Sequence, residues 1–237
     1  MSTKSPSPRW AWKIGIALIL LACFAAILVA LGRSQESQDG HPGESVPERA
    51  VDLLETIVPA EDAVEGRFER RSGAIVTPPG QAWARLQVPY VPPEEYDLTL
   101  IVERKAGNNS LNLGLSNGTR QFMVILDGGG PEGWGFSGID FVDGKPFFDN
   151  TTTYAGPLLP EKVRVKVNCA VRKSGVRVQV QDRSVIRWNG DVDKLFVADM
   201  WEVPAPNTLI LGCFESQFRI HGLWIEFVSR PGKKLRP

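Results

Sequence analysis

The sequence predicts an all-β antiparallel protein, either a sandwich or a barrel, from its strand-like alternation, its frequent turn signals and its scarcity of helical patterns. Apolar and polar residues alternate from Val163 to Val171, and again from Val176 to Val180 after a turn at Ser174-Gly175. A two-residue repeat buries one face of a strand and leaves the other face in solvent. Many short strands without alternating helices favour antiparallel sheets over a parallel α/β sheet.

Similar strand patterns recur along the chain and are separated by Gly-, Asn- and Ser-rich turns. They comprise Arg85–Val88, Tyr96–Arg104, Leu111–Leu115, Arg120–Leu126, Ser184–Trp188, Thr208–Leu211 and Phe218–Val228. Pro47–Val58 is the helical candidate, because Val51, Leu54 and Val58 fall about one helical turn apart. We expect Asp127–Gly138 to be an irregular loop, since seven of its twelve residues are Gly or Pro.

An uncharged run from Ile14 to Gly32 predicts one transmembrane helix. At about 1.5 Å per residue it would extend roughly 28 Å, close to the hydrocarbon thickness of a bilayer. Basic residues precede the run and acidic residues dominate after it, so the N-terminus is expected inside. We therefore expect a single-pass protein of the cytoplasmic membrane whose C-terminal domain is extracytoplasmic. A cleaved signal peptide and a lipidated Cys23 stay open as alternatives.

The expected organisation follows from these segments. Residues 1–13 form a cytoplasmic tail, 14–32 the membrane helix, 33–50 a polar flexible linker, 51–229 the folded β domain and 230–237 a basic C-terminal tail. The chain has 27 acidic and 27 basic residues, and three of the basic ones precede the membrane run. The part outside is therefore slightly acidic, which argues against a nucleic-acid partner. Cys169 and Cys213 could form a disulfide or remain buried thiols.

Several stretches of the β domain resemble bacterial members of the concanavalin A-like lectin/glucanase superfamily, of the 3-keto-disaccharide hydrolase and laminin G types. These stretches are Val51–Leu54, Val91–Thr99, Leu111–Leu115, Arg120–Val124, Leu209–Gly212 and Phe218–Ile220. The resemblance spans Val51–Ser229 and implies a jelly-roll sandwich of two curved sheets. In such domains the concave face often receives a sugar, sometimes with calcium near its rim.

The resemblance places the hairpin Leu111–Leu126 on that concave face. If Leu111, Leu113 and Leu115 face the core, alternation turns Asn112 toward the open side. On the partner strand, the outward residues would be Gln121, Met123, Ile125 and Asp127. Amide and carboxylate groups suit sugar recognition, because hydroxyls require both donors and acceptors. We therefore take Asn112, Gln121 and Asp127 as candidate ligand-binding residues, with ordinary solvent exposure as the alternative.

Two aromatic residues complete the candidate site. Trp134 and Phe136 lie in the Gly-rich segment, where a linker would carry no aromatic residue. An aromatic ring can stack on the apolar face of a sugar and bury a large area. Trp134 is the strongest single candidate contact, and the alternative is that it covers the edge of the sandwich.

A few further residues could bind a metal ion or take part in catalysis. Asp140, Asp143, Asp149 and Asn150 offer oxygen ligands for calcium, although without EF-hand spacing, and they could simply stabilise turns. No other cofactor is expected. The chain lacks a Glu-x-Asp-x-x-Glu strand motif, and His221 is a lone strand histidine, so no catalytic residue is assigned.

The resulting functional hypothesis is a membrane-anchored, extracytoplasmic binding module for carbohydrate or another envelope component. Its ligand-binding residues would be Asn112, Gln121, Asp127, Trp134 and Phe136. Two alternatives stay open. One is a glycoside-acting hydrolase of the 3-keto-disaccharide hydrolase type, which would need a pair of acids. The other is a structural or protein-interaction domain.

Overall fold

Two large stacked antiparallel sheets, with two small two-stranded sheets beside them, form the described part of the protein. The computed structural model describes residues 46–228 and 230–236, so the predicted membrane run 14–32, the N-terminal tail and most of the linker lie outside the described residues. Within these two ranges, no helix has the length and apolar character needed to cross a membrane.

The strands are short and follow one another through tight turns. The first ten are β1 (Val51–Asp52), β2 (Ala63–Glu65), β3 (Glu69–Arg71), β4 (Ala74–Val76), β5 (Ala84–Val88), β6 (Tyr90–Val91), β7 (Tyr96–Ala106), β8 (Leu111–Ser116), β9 (Gln121–Gly130) and β10 (Gly133–Ile139). The others are β11 (Phe141–Val142), β12 (Lys145–Pro146), β13 (Tyr154–Ala155), β14 (Arg164–Arg172), β15 (Gly175–Val180), β16 (Arg183–Asn189), β17 (Leu209–Cys213), β18 (Gln217–Phe227) and β19 (Lys233–Lys234). A one-turn helix α1 (Pro59–Asp62) and 3₁₀ turns at Val192–Lys194 and Asp199–Trp201 complete the described elements.

Sheet A has the strand order β16-β15-β14-β7-β18-β4-β3, with β1 also paired to β18. Sheet B has the order β13-β10-β9-β8-β17-β5-β2. Neighbouring strands are often far apart in sequence, as for β7 beside β18 and β8 beside β17. The all-β antiparallel class predicted from the alternation is confirmed, and the predicted strand segments coincide with β5, β7, β8, β9 and β14 to β18.

The main core lies between the two sheets. Sheet B contributes Leu111, Leu113 and Leu115, which are buried as predicted, and they belong to the same apolar cluster as Leu98 and Leu100 of sheet A. Alternate residues of β14 are likewise buried, because every second side chain of a strand faces the same side. The strand periodicity in the sequence therefore identified the core faces of the central strands correctly.

The predicted helix over Pro47–Val58 is wrong. Val51 pairs with Ile225 of β18, and the Asp52 carboxylate then closes a turn by accepting the Leu54 N–H at 2.9 Å. Leu53 and Leu54 are both buried, although adjacent residues cannot share one helical face. Turns of the backbone place these apolar side chains in the core. The helix α1 begins after the predicted segment, at Pro59.

The Gly-rich segment and the C-terminal tail contain strands that the sequence did not predict. Residues 127–138 form the end of β9, a turn and β10, rather than a loop. At the C-terminus, β19 pairs with β6, and the Arg236 guanidinium donates to the Asp62 carboxylate at 2.6 Å. The folded domain thus extends beyond the predicted boundary at residue 229.

Cys169 and Cys213 are unbridged. Cys169 lies in β14 of sheet A and Cys213 in β17 of sheet B, and both thiols are free and buried. Burial raises the pKa of Cys169 to about 12 and that of Cys213 to about 11, because a thiolate is poorly solvated there. Both residues therefore act as small apolar side chains.

A buried ion pair joins the two sheets. The Arg104 Nη2 on β7 donates to the Asp127 Oδ2 on β9 at 3.0 Å. The same guanidinium donates to the Leu159 carbonyl at 2.8 Å and the Asn109 carbonyl at 2.6 Å, and it stacks over the Phe218 ring. The Asp127 carboxylate also accepts two backbone N–H groups, so both buried charges are fully partnered.

Substituting Asp127→Ala would leave the Arg104 guanidinium buried without its counter-ion. We expect the free energy of unfolding to fall by about 3–5 kcal/mol, as for other broken buried pairs. Urea denaturation of the full-length protein, monitored by tryptophan fluorescence, measures this change. Asp97→Ala is the matched control because Asp97 pairs with Arg172 nearer the surface, where a loss of about 1 kcal/mol or less is expected. Equal losses in the two variants would contradict the role assigned to Asp127.

Candidate functional site

A concave cavity opens on the side of sheet B that faces away from the main core. Its volume is about 530 Å³, within the range of about 300–1,000 Å³ that is usual for small-molecule sites. The cavity is lined by Trp83, Asn109, Ser110, Asn112, Ile125, Gly128, Gly129, Gly130, Pro131, Trp134, Asp140, Phe141, Pro146, Phe147, Phe148, Met200, Trp201 and Phe214. Its lining is mainly apolar and includes seven aromatic residues, together with a few polar groups.

Asn112 is the most unusual polar residue of the cavity. It lies on β8 opposite Ile125 of β9, and 0% of its surface is exposed. Neither its Nδ2 nor its Oδ1 has a hydrogen-bond partner within the described residues. A buried polar group without a partner costs about 1–3 kcal/mol, so such groups are rare in folded proteins. Both amide atoms are closed to solvent, so a ligand that supplies their missing donor and acceptor must displace a neighbouring side chain of the wall.

The glycines of β9 allow aromatic rings to lie directly against the backbone. A Cβ at Gly129 would come within 2.5 Å of the Trp134 ring, and one at Gly128 would come within 2.7 Å of the Phe147 ring. Trp134 therefore packs on Gly129 while 53% of its surface stays exposed. The two sequence interpretations of Trp134 are thus compatible, because the residue covers the backbone and also presents surface to solvent.

A second group of aromatic rings also lines the cavity. Trp83 lies edge-on to Phe214 and to Trp201, with ring centroids 4.5 and 5.4 Å apart. Trp83 is partly exposed, whereas Trp201 is buried against sheet B. Edge-to-face contacts of this kind hold the rings in defined orientations. None of these three residues was singled out in the sequence, because they come from separate connections between strands.

Asp140 supplies the carboxylate of the cavity. It directly follows β10; its N–H donates to the Met123 carbonyl at 2.8 Å, and the preceding Ile139 belongs to the main core. The residue is 8% exposed, and no hydrogen bond or ion pair to its carboxylate exists among the described residues. Burial raises the pKa of Asp140 to about 6, since the charged form is poorly solvated.

Asn112 and Trp134 are the predicted binding residues that the structure brings together in this cavity. The Gln121 amide donates to the Thr208 carbonyl at 2.7 Å, and this residue lines a different cavity beside Pro204. The Phe136 ring packs near Gly130, outside the residues that line the site.

Asp127 does not face the open side, contrary to the alternation. Its backbone has φ = 58°, and the pairing of β9 with β10 shifts at this point, as in a β-bulge. The shift redirects the carboxylate toward Arg104 and the N–H groups of Leu158 and Leu159. Asp127 therefore has a structural role and no free oxygen positioned for a ligand.

The open side of sheet B is also less exposed than predicted. Met123 and Ile125 point away from the main core, but they are buried in a second apolar cluster with Trp201, Val203 and Ile210. The connection between β16 and β17 provides Trp201 and Val203 and covers this part of the sheet. The cavity occupies the remaining part, where the Gly residues of β9 leave room.

The calcium candidates Asp140, Asp143, Asp149 and Asn150 differ in their surroundings. Asp143 lies in the exposed turn between β11 and β12, and Asp149 is also exposed. The Asn150 Oδ1 already accepts hydrogen bonds from the N–H and hydroxyl of Thr152. Within the described ranges, no group of three or more His, Cys, Asp or Glu side chains could hold a metal ion.

The cavity also lacks an acid pair. Asp140 is the one carboxylate among the described residues that line it. His221 lies on β18 in sheet A, where its Nε2 contacts the Glu103 Oε2 at 2.9 Å. The arrangement can bind hydroxyl or amine groups and stack on an apolar face.

No protein-family model matches the chain, and no curated protein matches it in a sequence comparison. Solved structures do match. A protein of unknown function with a galectin-like fold from Bacillus subtilis has a TM-score of 0.50 at 9% identity, covering 71% of this chain and 89% of that chain. At this identity the likeness shows the fold, which is a lectin-like β-sandwich.

Two further matches have scores below 0.5 and carry no inference about function. The carbohydrate-binding module CBM66 from Bacillus subtilis has a TM-score of 0.47 at 10% identity, covering 69% of this chain and 93% of its own. The exoplasmic/lumenal domain of VIP36, solved with Ca²⁺ and Man3GlcNAc, has a TM-score of 0.49 at 6% identity, covering 71% and 86%.

Replacing Asp140 by Asn tests the burial of its charge. The folded state raises the pKa of this acid from 3.8 to about 6. The ionised carboxylate therefore lowers the free energy of unfolding above pH 6, and this loss disappears as the pH falls toward 4 and the acid becomes protonated. We expect Asp140→Asn to increase the free energy of unfolding by about 1–3 kcal/mol at pH 8, and by much less at pH 4. Urea denaturation at both pH values measures this difference.

Asp143→Asn is the matched control, since its side chain lies in an exposed turn. It should change the free energy of unfolding by less than about 0.5 kcal/mol at either pH. A destabilisation by Asp140→Asn at pH 8 would show that the carboxylate has a stabilising partner and would contradict this account.

Proposed function

We propose that the protein is a non-catalytic carbohydrate-binding module whose ligand occupies the cavity on sheet B. The observation that carries the proposal is the Asn112 amide, which is buried, unpaired and part of the same cavity as the exposed Trp134. A sugar offers an apolar ring face and hydroxyl groups, and the cavity offers a surface for each.

Stacking supplies the apolar part of the interaction. The Trp134 ring lies against Gly129, which leaves much of the residue open to a ligand. Trp83, which also lines the cavity, is 41% exposed and is held by its contacts with Phe214 and Trp201. A fully covered aromatic side chain buries about 150–250 Å², so contacts with these rings can drive binding.

Hydrogen bonds supply the specificity. The Asn112 side chain offers an NH₂ donor and a carbonyl acceptor, and Asp140 offers two acceptor oxygens. A sugar hydroxyl can donate to one of these groups while accepting from another. In this proposal the polar contacts come from protein side chains, and calcium is not required.

The proposal extends to the location of the module. The apolar run 14–32 supports a permanent anchor with the N-terminus inside, and a polar linker would then present the β domain outside the cytoplasmic membrane. The ligand would accordingly be a glycan or another carbohydrate-bearing envelope component. The lectin-like fold is compatible with a concanavalin A-like relationship, which the sequence stretches described above suggest.

The two alternative functions fit the cavity less well. A hydrolase of the 3-keto-disaccharide hydrolase type would need a second carboxyl group about 5–10 Å from the first, and the described lining provides Asp140 without such a partner. A protein partner would favour a broad, flat apolar patch, whereas this site is a concave cavity with polar groups in its wall.

Removing the exposed ring tests the stacking contact. We expect Trp134→Ala to weaken binding of the best ligand on a glycan array at least about tenfold, because it deletes a principal stacking surface. The control Phe227→Ala deletes an exposed aromatic ring on β18 of sheet A and should leave the affinity unchanged. The array uses the full-length protein with and without a chelator. Failure of the wild type to bind any sugar would overturn the proposal.

Removing the unpaired amide tests the polar contact separately. Asn112→Leu keeps a similar volume but removes a buried donor and acceptor that lack protein partners. We expect an unchanged or higher free energy of unfolding, together with at least about tenfold weaker sugar binding. Calorimetric titration and urea denaturation measure the two effects. A less stable variant with intact binding would show that Asn112 is a structural residue.

A further inference from the structure

We propose that the sugar unit bound in this cavity carries a protonated amino group, as in a hexosamine that is not acetylated. This inference rests on the proposed carbohydrate-binding function and specifies its ligand class. It is carried by the charge and the contacts of the cavity wall, where the unpaired Asn112 amide occurs together with the Asp140 carboxylate, and neither side chain has a hydrogen-bond or ion-pair partner among the described residues.

The cavity contains an uncompensated negative charge. Asp140 is buried to more than nine-tenths, and its carboxylate has no ion pair among the described residues. The described lining includes no Arg, Lys or His side chain. Buried carboxylates are ordinarily paired with a cation, because transfer of an isolated charge from water is costly. A ligand ammonium would supply the missing counter-ion and form a charge-assisted hydrogen bond.

The aromatic walls strengthen the same preference. Phe147 and Phe148 lie edge-to-face beside the strand glycines, with centroids 5.2 Å apart, and the Trp134 ring of β10 lies against Gly129 of β9. The face of an aromatic ring carries negative electrostatic potential and attracts a cation within about 6 Å. The same walls and the Asp140 carboxylate would repel an acidic sugar, so uronates are disfavoured.

Asn112 selects an amino sugar over other organic cations. Its unpaired Nδ2 needs an acceptor and its unpaired Oδ1 needs a donor. A quaternary ammonium such as choline has no N–H group to donate to the Asp140 carboxylate. It carries one hydroxyl for Asn112 and Asp140 together, whereas a sugar ring carries several. A hexosamine provides the cation, several hydroxyl groups and an apolar ring face in one unit.

The experiment compares oligosaccharides of equal length that differ in charge. The full-length protein is titrated calorimetrically at neutral pH and low salt with tetramers of glucosamine, N-acetylglucosamine and glucose, and with choline. We expect the glucosamine tetramer to bind at least about tenfold more tightly than the two neutral tetramers and than choline. This ratio corresponds to about 1.4 kcal/mol. The preference should shrink at high ionic strength, since charge attraction is screened.

The variant Asp140→Asn tests the source of the preference. We expect the ratio between the glucosamine and N-acetylglucosamine tetramers to fall to about one, whereas Asp143→Asn should keep the wild-type ratio because its side chain lies in an exposed turn. A purely structural role for Asp140 would weaken both tetramers equally and leave the ratio unchanged, which would overturn the inference.

The remaining outcomes separate this inference from the proposed function. Equal or tighter binding of a neutral tetramer would refute the amino-sugar preference and leave the carbohydrate-binding function standing. Binding of choline as tight as that of the glucosamine tetramer would refute the selection of a sugar by Asn112. Absence of binding by all three tetramers and by every sugar on the array would refute the proposed function itself.

Discussion

The buried ion pair between Arg104 and Asp127 is the constraint on which the rest of the structure depends. It is the charged link between sheets A and B in the described core, and it also binds the backbone at Asn109 and Leu159. Its two charges would be very costly without partners, so the geometry of these segments is closely defined. Asp127 immediately precedes Gly128, and the pair therefore also positions the strand that forms the cavity wall.

The candidate site lies beside that strand. Buried polar groups in a protein core are normally hydrogen-bonded, and the site departs from this rule. The polar atoms of Asp127 are satisfied by protein groups, whereas Asn112 and Asp140 in the cavity have side-chain atoms without partners in the part of the chain that the structure describes. These residues oppose folding by about 1–3 kcal/mol each, which the large apolar core can offset. Groups that destabilise the free protein and gain partners with a ligand are typical of functional sites.

Local sequence patterns predicted much of the fold and part of the site. The alternation in β8 and β14 identified the correct core faces, because strand periodicity is a local property. The same rule failed at Asp127, where a bulge with φ = 58° turned the side chain toward Arg104. It also failed to reveal that Met123 lies beneath a covering connection, since that cover comes from residues around Trp201.

By itself, the sequence determined the β class, the positions of the long strands, an apolar run that predicts an anchor, and Asn112 and Trp134 as candidates. These features depend on residues close together along the chain. The tertiary structure decided that Asp140 would join them in one cavity and that Gln121 and Asp127 would be occupied by protein groups. Such choices depend on contacts between distant segments, because burial and hydrogen-bond pairing are settled only when the sheets stack.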